Sequence, residues 1–132
     1  MDKHQIIAIF ALAIAVLSIF TAILYQPVQI SDDSEIYTVF FGLTDTLGGS
    51  IDENLARNTV NDLCLSYGLG FTSYIAYGGY VSNGTLITND TLVYMFALTD
   101  EETVLSLVNE AKTNLNIDTI MFETSNGTIS FV

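Results

Sequence analysis

The sequence predicts an α+β domain in which two amphipathic helices lie on one face of a four-stranded antiparallel sheet, preceded by one apolar N-terminal helix. Three observations lead to this fold class. Stretches rich in β-branched and aromatic residues alternate with helical apolar patterns, a capping sequence precedes each of the two amphipathic helices, and Asn-Gly pairs mark tight turns. Half of the 132 residues are hydrophobic. The chain can therefore bury enough apolar surface to fold as one domain.

The N-terminal helix is predicted from residues 6–25, a run of twenty without a charged side chain. At ~1.5 Å per residue, such a helix spans roughly 30 Å, the thickness of the hydrocarbon core of a bilayer. A cleaved secretory signal is the alternative, but its apolar segment would be only about 7–15 residues long. We therefore expect residues 1–25 to form an uncleaved signal-anchor that contacts membrane lipid through residues 6–25.

The charges on either side of this segment predict its direction in the membrane. Lys3 and His4 precede it, whereas three acidic residues follow it between positions 32 and 35. Because positive charge is retained in the cytoplasm, the N-terminus should be cytoplasmic and the rest of this single-pass protein extracytoplasmic. Residues 26–35, which contain the only proline, should form a linker, and residues 36–132 should form the exported domain.

The exported part begins with a strand followed by a helix. Residues 36–43 are dense in β-branched and aromatic side chains, which predicts the first strand. Ser50 and Glu53 have the spacing of a capping box, in which each side chain accepts a hydrogen bond from the other's backbone N–H, so a helix should begin there. Apolar residues then recur at three- and four-residue spacing until Gly68, which should end the helix.

A β-hairpin should follow the first helix. Residues 71–81 alternate in the manner of a strand, and Asn83-Gly84 favours the type I′ turn that matches the twist of paired strands. The next strand should therefore fold back over residues 86–98. The polar residues 88–90 interrupt its apolar pattern and predict a bulge or kink.

A second helix and a last strand complete the predicted domain. Thr99 and Glu102 repeat the capping-box spacing, so the second helix should begin there. Residues 117–124 should form a strand, which a second Asn-Gly turn at 126–127 should join to a short closing strand at 129–132. The resulting order β-α-β-β-α-β is that of the ferredoxin-like arrangement, in which the first and third strands are central.

Residues 36–132 also resemble a secreted protein family of unknown function. The shared pattern is an aromatic-rich first strand ending in Phe-Phe-Gly, a Gly-x-Thr that opens the second strand, and a hairpin with Gly beside an aromatic residue. Here these are residues 37–42, residues 70–72 and Gly79-Tyr80. Asp90-Thr91 stands where the family has an acid-Ser pair, so no site residue is carried over. The family is similar in fold to the trimeric PII and CutA-type proteins, which implies architecture and oligomerisation.

The composition excludes several classes of function. Fifteen acidic residues against three basic ones give a net charge of −12, which cannot supply the basic face that nucleic acid requires. A single cysteine, Cys64, is too few for a Cys-based zinc site. It is also not expected to be a catalytic nucleophile, because the predicted exported domain has no histidine to act as its base. The acidic clusters lack EF-hand spacing, and the glycine-rich residues 42–50 lack the lysine of a P-loop. We therefore expect no catalytic, cofactor-binding or metal-ligating residue.

Three asparagines begin Asn-x-Thr sequons, namely Asn83, Asn89 and Asn126. Export would make these side chains available for N-glycosylation. Their modification then depends on the organism that makes the protein.

The most informative feature is the apolar character of both faces of the central strands. Only one face of such a sheet meets the helices, so its strands should alternate between apolar and polar residues. The first and third strands instead carry large apolar residues at both parities. An uncovered apolar patch of more than a few hundred Å² is rare on a soluble monomer. The second face should therefore be buried against another copy of the chain or another exported subunit.

We therefore expect a non-enzymatic binding or assembly module that works through the helix-free face of its sheet. Which parity faces the helices stays open, so the interface set can be inverted. The alternative is a small apolar-ligand-binding protein or an enzyme of the dimeric α/β-barrel type. That would need a titratable group in an enclosed pocket, with Asp45, Asp118 or a tyrosine as its source. The candidate interface residues are Tyr37, Val39, Phe41, Met95, Tyr74 and Tyr80.

Overall fold

The computed structural model describes residues 2–24, 32–118 and 120–130 of the chain. These residues fall into two compact units, of which one contains the N-terminal helix and the other, Asp32–Ile129, contains the sheet. The N-terminal helix, α1, covers Lys3–Leu24. Among the described residues, no helix is both long enough and apolar enough to cross a membrane. The end of the predicted span at Tyr25 and the first residues of the predicted linker lie outside the described residues.

The second unit is a four-stranded antiparallel sheet with the strand order β2-β3-β1-β4. The two central strands are β1 and β3, which confirms the ferredoxin-like arrangement. The first strand begins at Asp32, earlier than the predicted Ile36. The elements of this unit are β1 Asp32–Gly42, α2 Glu53–Tyr67, β2 Thr72–Ser82, β3 Thr85–Phe96, α3 Glu101–Leu115 and β4 Met121–Ile129.

Helix α2 is capped by an aspartate, and the predicted capping box at Ser50 is wrong. The Oδ1 atom of Asp52 accepts a hydrogen bond from the backbone N–H of Leu55 at 2.9 Å. Ser50 instead forms a β-bridge with Thr44, so its backbone is held in extended pairing and the helix begins two residues later. The predicted end is confirmed, because Gly68 takes the left-handed conformation with φ 67°.

The same correction applies to α3, for which the sequence predicts a cap at Thr99 and the structure shows one at Asp100. The Oδ1 atom of Asp100 accepts from the backbone N–H of Thr103 at 2.8 Å, and Asn116 closes the helix in the left-handed conformation. The cap holds the pKa of the Asp100 carboxyl below its usual value, because the backbone N–H and the hydroxyl of Thr103 both stabilise the ionised form. Each helix therefore begins after an aspartate, whose charge also complements the positive end of the helix dipole.

Replacing Asp52 by alanine is expected to lower the free energy of unfolding by about 0.5–2 kcal/mol, because a backbone N–H of α2 loses its acceptor. Replacing Ser50 by alanine is the matched control. It should change stability by less than about 0.5 kcal/mol, because its side chain caps nothing. Urea denaturation of the full-length chain, followed by circular dichroism, measures both. A larger loss for the Ser50 variant would contradict this assignment of the cap.

The β2–β3 hairpin confirms the predicted turn and corrects the predicted bulge. Asn83 and Gly84 both have positive φ values, 50° and 77°, as a type I′ turn requires. The pairs Tyr77↔Asp90 to Gly79↔Thr88 continue the register without an extra residue. The polar side chains at 88–90 therefore reflect an exposed part of the hairpin and not an interruption of the ladder.

The last strand is continuous, so the predicted turn at Asn126-Gly127 is wrong. Both residues pair with β1, Asn126 opposite Glu35 and Gly127 opposite Ser34. The early start of β1 provides this partner. A Cβ atom at position 127 would lie 2.8 Å from Cδ1 of Ile36, so the glycine serves close packing and not a turn. Residues 131–132 of the predicted closing strand lie outside the described residues.

The hydrophobic core lies between the sheet and the pair α2 and α3. On the sheet side, directly paired residues share one face, and the pairs Tyr37↔Phe96, Val39↔Tyr94 and Phe41↔Leu92 all point towards the helices. Apolar side chains of both helices cover them, with Ala56, Val60, Leu63 and Cys64 from α2 and Val104, Leu107, Val108, Ala111 and Leu115 from α3.

Candidate functional site

The candidate site is the face of the sheet opposite α2 and α3, which we call the helix-free face. Directly paired residues of an antiparallel ladder lie on the same face of the sheet. The residues of β1 and β2 that pair with Met95 and Val93 of β3 therefore belong to this face. The described apolar and hydroxyl side chains of this face include Thr38, Phe40, Tyr74, Ala76, Tyr80, Ile87, Thr91, Val93, Met95 and Met121.

The centre of the helix-free face is buried although α2 and α3 lie on the other side. Val93 is 0% exposed, and it pairs with Phe40 on one side and Tyr74 on the other. Phe40 is partly buried, whereas Tyr74 and Met121 are exposed. The face thus has a centre that the chain's own side chains already cover, with aromatic and thioether side chains exposed around it.

A shallow apolar depression lies on this face. Its volume is about 450 Å³, and its lining residues are Phe40, Gly42, Ala76, Gly78, Thr91 and Met121. It arises because Gly42, Ala76 and Gly78 leave backbone uncovered between the larger side chains of Phe40 and Met121. None of the six lining side chains is titratable. The depression can accept an apolar side chain, but it offers no group for acid–base chemistry.

Half of the predicted interface set lies on the wrong face. The structure places Tyr37, Val39 and Phe41 in the core beneath the helices, each at most 2% exposed. Their assignment to the helix-free face is therefore corrected. Both parities of β1 are apolar, so only the packing of the helices distinguishes them. The other three predicted residues, Met95, Tyr74 and Tyr80, do lie on the helix-free face.

The predicted set lacks Phe40 and Val93, at the centre of this face, and Met121, at its rim. The signal that finds them is the cross-strand register. Once Met95 is placed on the helix-free face, its neighbour two positions away on β3, Val93, must share that face. Phe40 then follows as the β1 partner of Val93, and Met121 as the β4 partner of Phe40.

The tyrosines and the cysteine of the core are held in their neutral forms. The hydroxyl of Tyr37 donates to Oε2 of Glu35 at 2.5 Å, and this hydrogen bond together with burial raises the pKa of Tyr37 to about 12. Burial raises the pKa of Tyr94 to about 12 and that of the Cys64 thiol to about 11. None of these groups can act as a base or a thiolate nucleophile near neutral pH.

The aspartates considered for an enclosed pocket lie elsewhere. Oδ1 of Asp45 accepts hydrogen bonds from the backbone N–H groups of Leu47 and Gly49, both at 2.8 Å, so this carboxylate holds its own loop together. Asp118 is exposed. Within the described part of the chain, no group of three or more His, Cys, Asp or Glu side chains lies close enough together to hold a metal ion.

The three predicted glycosylation sites occupy different surroundings. Asn83 lies exposed in the turn of the β2–β3 hairpin, and Asn126 is exposed on β4. Asn89 is partly buried on the helix-free face, where its amide nitrogen lies 3.3 Å from the position of a Cβ built on Gly42. Modification at any of the three stays a prediction.

Comparison with known proteins identifies the fold. No family model matches the chain, and no curated protein matches it. A phage SAM lyase in complex with S-methyl-5′-thioadenosine has a TM-score of 0.55 at 15% identity, covering 75% of this chain and 89% of the lyase. CutA from Synechococcus elongatus PCC7942 has a TM-score of 0.55 at 11% identity, covering 81% and 88% of the two chains.

A third similar structure is the periplasmic divalent cation tolerance protein CutA from Archaeoglobus fulgidus. Its TM-score is 0.50 at 9% identity, and the match covers 70% of this chain and 81% of that protein. At such low identities these likenesses show the fold alone. They confirm the CutA-type ferredoxin-like architecture, while the resemblance to a secreted family stays a prediction.

Proposed function

We propose that this chain is a membrane-anchored, extracytoplasmic assembly module, without enzymatic activity of its own, that self-associates through its helix-free face. One observation carries the proposal. Among the described side chains of this face, Glu123 is the only charged one, although the whole chain carries fifteen acidic residues. A surface that lacks charge in so acidic a chain is suited to contact with another apolar surface, because burying unpaired carboxylates is costly.

The shape of the face supports association. Tyr74, Tyr80 and Met121 leave large apolar side chains in water, and aromatic residues are the commonest anchors of protein interfaces. The depression between Phe40 and Met121 supplies a concave seat for an apolar side chain from the facing copy.

The anchor and the location rest on the sequence. Residues 6–25 lack charge, and the cationic flank precedes them while the acidic flank follows, an asymmetry that favours export of the sheet domain. Anchoring raises the effective concentration of the domain, because copies confined to one membrane meet far more often than copies in free solution. A weak contact between faces would then suffice for assembly.

The ligand-binding or enzymatic alternative has less support. It needs a titratable side chain inside an apolar pocket, and the six residues around the depression provide none. Asp45 is engaged with its own loop through two backbone N–H groups. Another exported subunit on the helix-free face would present the same chemistry as a second copy, and the mass of the assembly distinguishes the two.

The test is the mass of the full-length protein in detergent, measured by sedimentation, with and without Met121→Asp. Met121 is exposed on the helix-free face, so an aspartate there is compatible with folding and is buried only on association. We expect a defined multimer for the parent chain and at least about a tenfold weaker association for the variant, because a buried unpaired carboxylate opposes contact.

The matched control is Leu65→Asp, which adds the same charge at an 83% exposed position on α2. It should leave the mass unchanged. A monomeric parent chain at all concentrations, or a Met121→Asp variant that associates as tightly as the parent, contradicts self-association through this face. Circular dichroism confirms that each variant is folded.

The location has a separate test. In intact cells, a protease added outside should digest the sheet domain, and alkaline washing of membranes should leave the full-length chain in the membrane pellet. A protected domain contradicts export, and release by alkaline washing contradicts the anchor.

A further inference from the structure

Charge is absent from one continuous part of the chain. No acidic or basic residue occurs from Leu63 to Asn89, a stretch that contains the C-terminal turn of α2, all of β2 and the first part of β3. Strand β2 itself therefore carries no charged side chain; the charges nearest to it are Arg57 of α2, which donates a hydrogen bond to the hydroxyl of Ser73 at 3.2 Å, and Asp90, which lies opposite Tyr77 on β3. The chain as a whole has a net charge of −12, so the absence of charge from β2 marks a strand with a different role.

Strand β2 is an edge strand with an open side. Among the described residues, β2 pairs with β3 and with no other strand. Natural proteins usually protect such an edge with charged side chains, prolines, bulges or a short strand length. Strand β2 is 11 residues long and has none of the first three features within Thr72–Ser82. Its free edge is therefore open to pairing with another strand.

The hairpin that carries this edge extends beyond the four-stranded part of the sheet. Strand β1 pairs with β3 from Thr91 to Phe96, so residues 77–90 form an arm of two strands that begins with the pair Tyr77↔Asp90. Apolar side chains are exposed along it, with Tyr77 76% exposed, and with Tyr80, Val81, Leu86 and Ile87 also in water. A two-stranded hairpin is only marginally stable by itself in water, so this arm gains most from an additional strand.

The register identifies the backbone groups that point outwards. A two-residue turn makes Ser82 and Thr85 a hydrogen-bonded pair, and hydrogen-bonded and non-hydrogen-bonded pairs then alternate along the hairpin. Even-numbered residues of β2 therefore direct their N–H and C=O groups towards β3. Odd-numbered residues, among them Ile75, Tyr77 and Gly79, direct theirs to the open edge.

We infer that the free edge of β2 pairs antiparallel with the same edge of a second copy of this chain, across a two-fold axis, so that the two sheets become continuous. A two-fold axis brings a strand against itself in antiparallel orientation, so one self-complementary edge is sufficient. This contact uses backbone groups of β2 and not the helix-free face. It therefore goes beyond the proposed function and does not depend on it.

Charge favours a second copy over other occupants of this edge. Two copies that each carry −12 repel one another, and they can approach most closely along β2, which carries no acid of its own; Asp90 lies one strand further in, on β3. A basic partner would instead seek the acidic surfaces of the chain. The opposite sheet edge, β4, carries Glu123, which protects it in the usual manner. Edge pairing also places two helix-free faces side by side.

The first test is Tyr77→Lys in the full-length chain in detergent. Tyr77 is the middle residue of β2, so a two-fold axis through the centre of the strand brings position 77 next to its copy, and a lysine on an edge strand protects that edge from pairing. We expect association through this edge to weaken at least about tenfold. The added lysine lowers the net negative charge of each copy, so the overall repulsion between copies decreases. This change alone would strengthen association, and a weaker association therefore reports on the edge. Leu65→Lys, with the same charge on α2, is the control and should not weaken association.

The second test is amide hydrogen exchange, which reports the backbone groups themselves. In the assembled parent chain, the amides of Ile75, Tyr77 and Gly79 should exchange slowly, and in Tyr77→Lys they should exchange rapidly. The amides of Ala76 and Gly78 point towards β3 and should be protected in both proteins. Rapid exchange at all three odd positions in the assembled parent chain overturns the inference.

The experiments distinguish the proposed edge contact from the proposed face contact. If Met121→Asp lowers the mass while Tyr77→Lys leaves the mass and the exchange unchanged, the edge contact is wrong and the face contact stands. If Tyr77→Lys lowers the mass while Met121→Asp does not, the edge contact stands and the proposed face contact is wrong. Protection of the odd amides by a different protein, in a complex with one copy of this chain, overturns the self-pairing.

Discussion

Replacing Phe41 by alanine is expected to lower the free energy of unfolding by about 3–5 kcal/mol, the loss typical of a large aromatic side chain removed from a packed core. Phe41 is 0% exposed, and its ring meets that of Tyr94 edge to face, with the centroids 5.9 Å apart. Helices α2 and α3 hold this part of the core in place, so the space left by the ring cannot close easily. Urea denaturation of the full-length chain, followed by circular dichroism, measures the loss.

The neighbouring Phe40 is the matched control, because it is the same residue on the same strand with the opposite orientation. It is only partly buried and lies on the helix-free face. Phe40→Ala should therefore cost less than about half as much stability. Equal losses for the two variants would contradict the assignment of the faces. A Phe41 variant that lost assembly would do so by unfolding, so Phe41 cannot test the interface.

The second large effect is expected at Tyr94, whose ring lies at the centre of the aromatic core. It contacts the rings of Phe41, Phe71 and Phe96 at centroid distances of 5.9, 5.0 and 6.1 Å. Its hydroxyl donates to Oδ1 of Asn61 at 2.6 Å, which ties β3 to α2. Tyr94→Ala should lower the free energy of unfolding by about 3–5 kcal/mol, since it removes three ring contacts and opens a cavity.

Tyr94→Phe separates the hydroxyl from the ring. The hydroxyl also donates to the backbone C=O of Arg57, but at 3.4 Å this contact is much longer than the one to Asn61. The substitution should cost about 0.5–1.5 kcal/mol, the usual net value of one hydrogen bond, because Asn61 is only partly buried and water can replace the lost donor. Asn61→Ala in the Tyr94→Phe background should then add little further loss, since both changes remove the same interaction. If the losses of the two single variants simply add, this hydrogen bond does not contribute to stability.

Much of the fold follows from local patterns. The order of strands and helices, the type I′ turn at Asn83-Gly84 and the end of α2 at Gly68 all depend on residues that lie close together in the chain. The helix starts depend on local rules as well. Serine and aspartate both rank among good caps, so the choice of Asp52 over Ser50 required the observation that Ser50 is engaged in a β-bridge.

The course of β4 depended on a distant strand. Asn126-Gly127 has the composition of a turn, and the same two residues continue a strand when a partner lies beside them. The partner is the first part of β1, which begins at Asp32 and pairs with β4 as far as Ile129. A local pattern cannot include a strand that is more than 80 residues away in the chain, so the turn was predicted where the ladder continues.

The sequence by itself determined the two apolar faces of the sheet, the charge-free stretch from Leu63 to Asn89 and the order of the elements, because composition and periodicity are properties of the chain alone. Only the tertiary structure decided which parity of β1 and β3 lies beneath the helices. An apolar residue gains a similar free energy from burial on either face, so hydrophobicity cannot distinguish the core from an interface. The packing of α2 and α3 against Val39 and Phe41 makes that choice, and it leaves Phe40 and Met95 on the helix-free face.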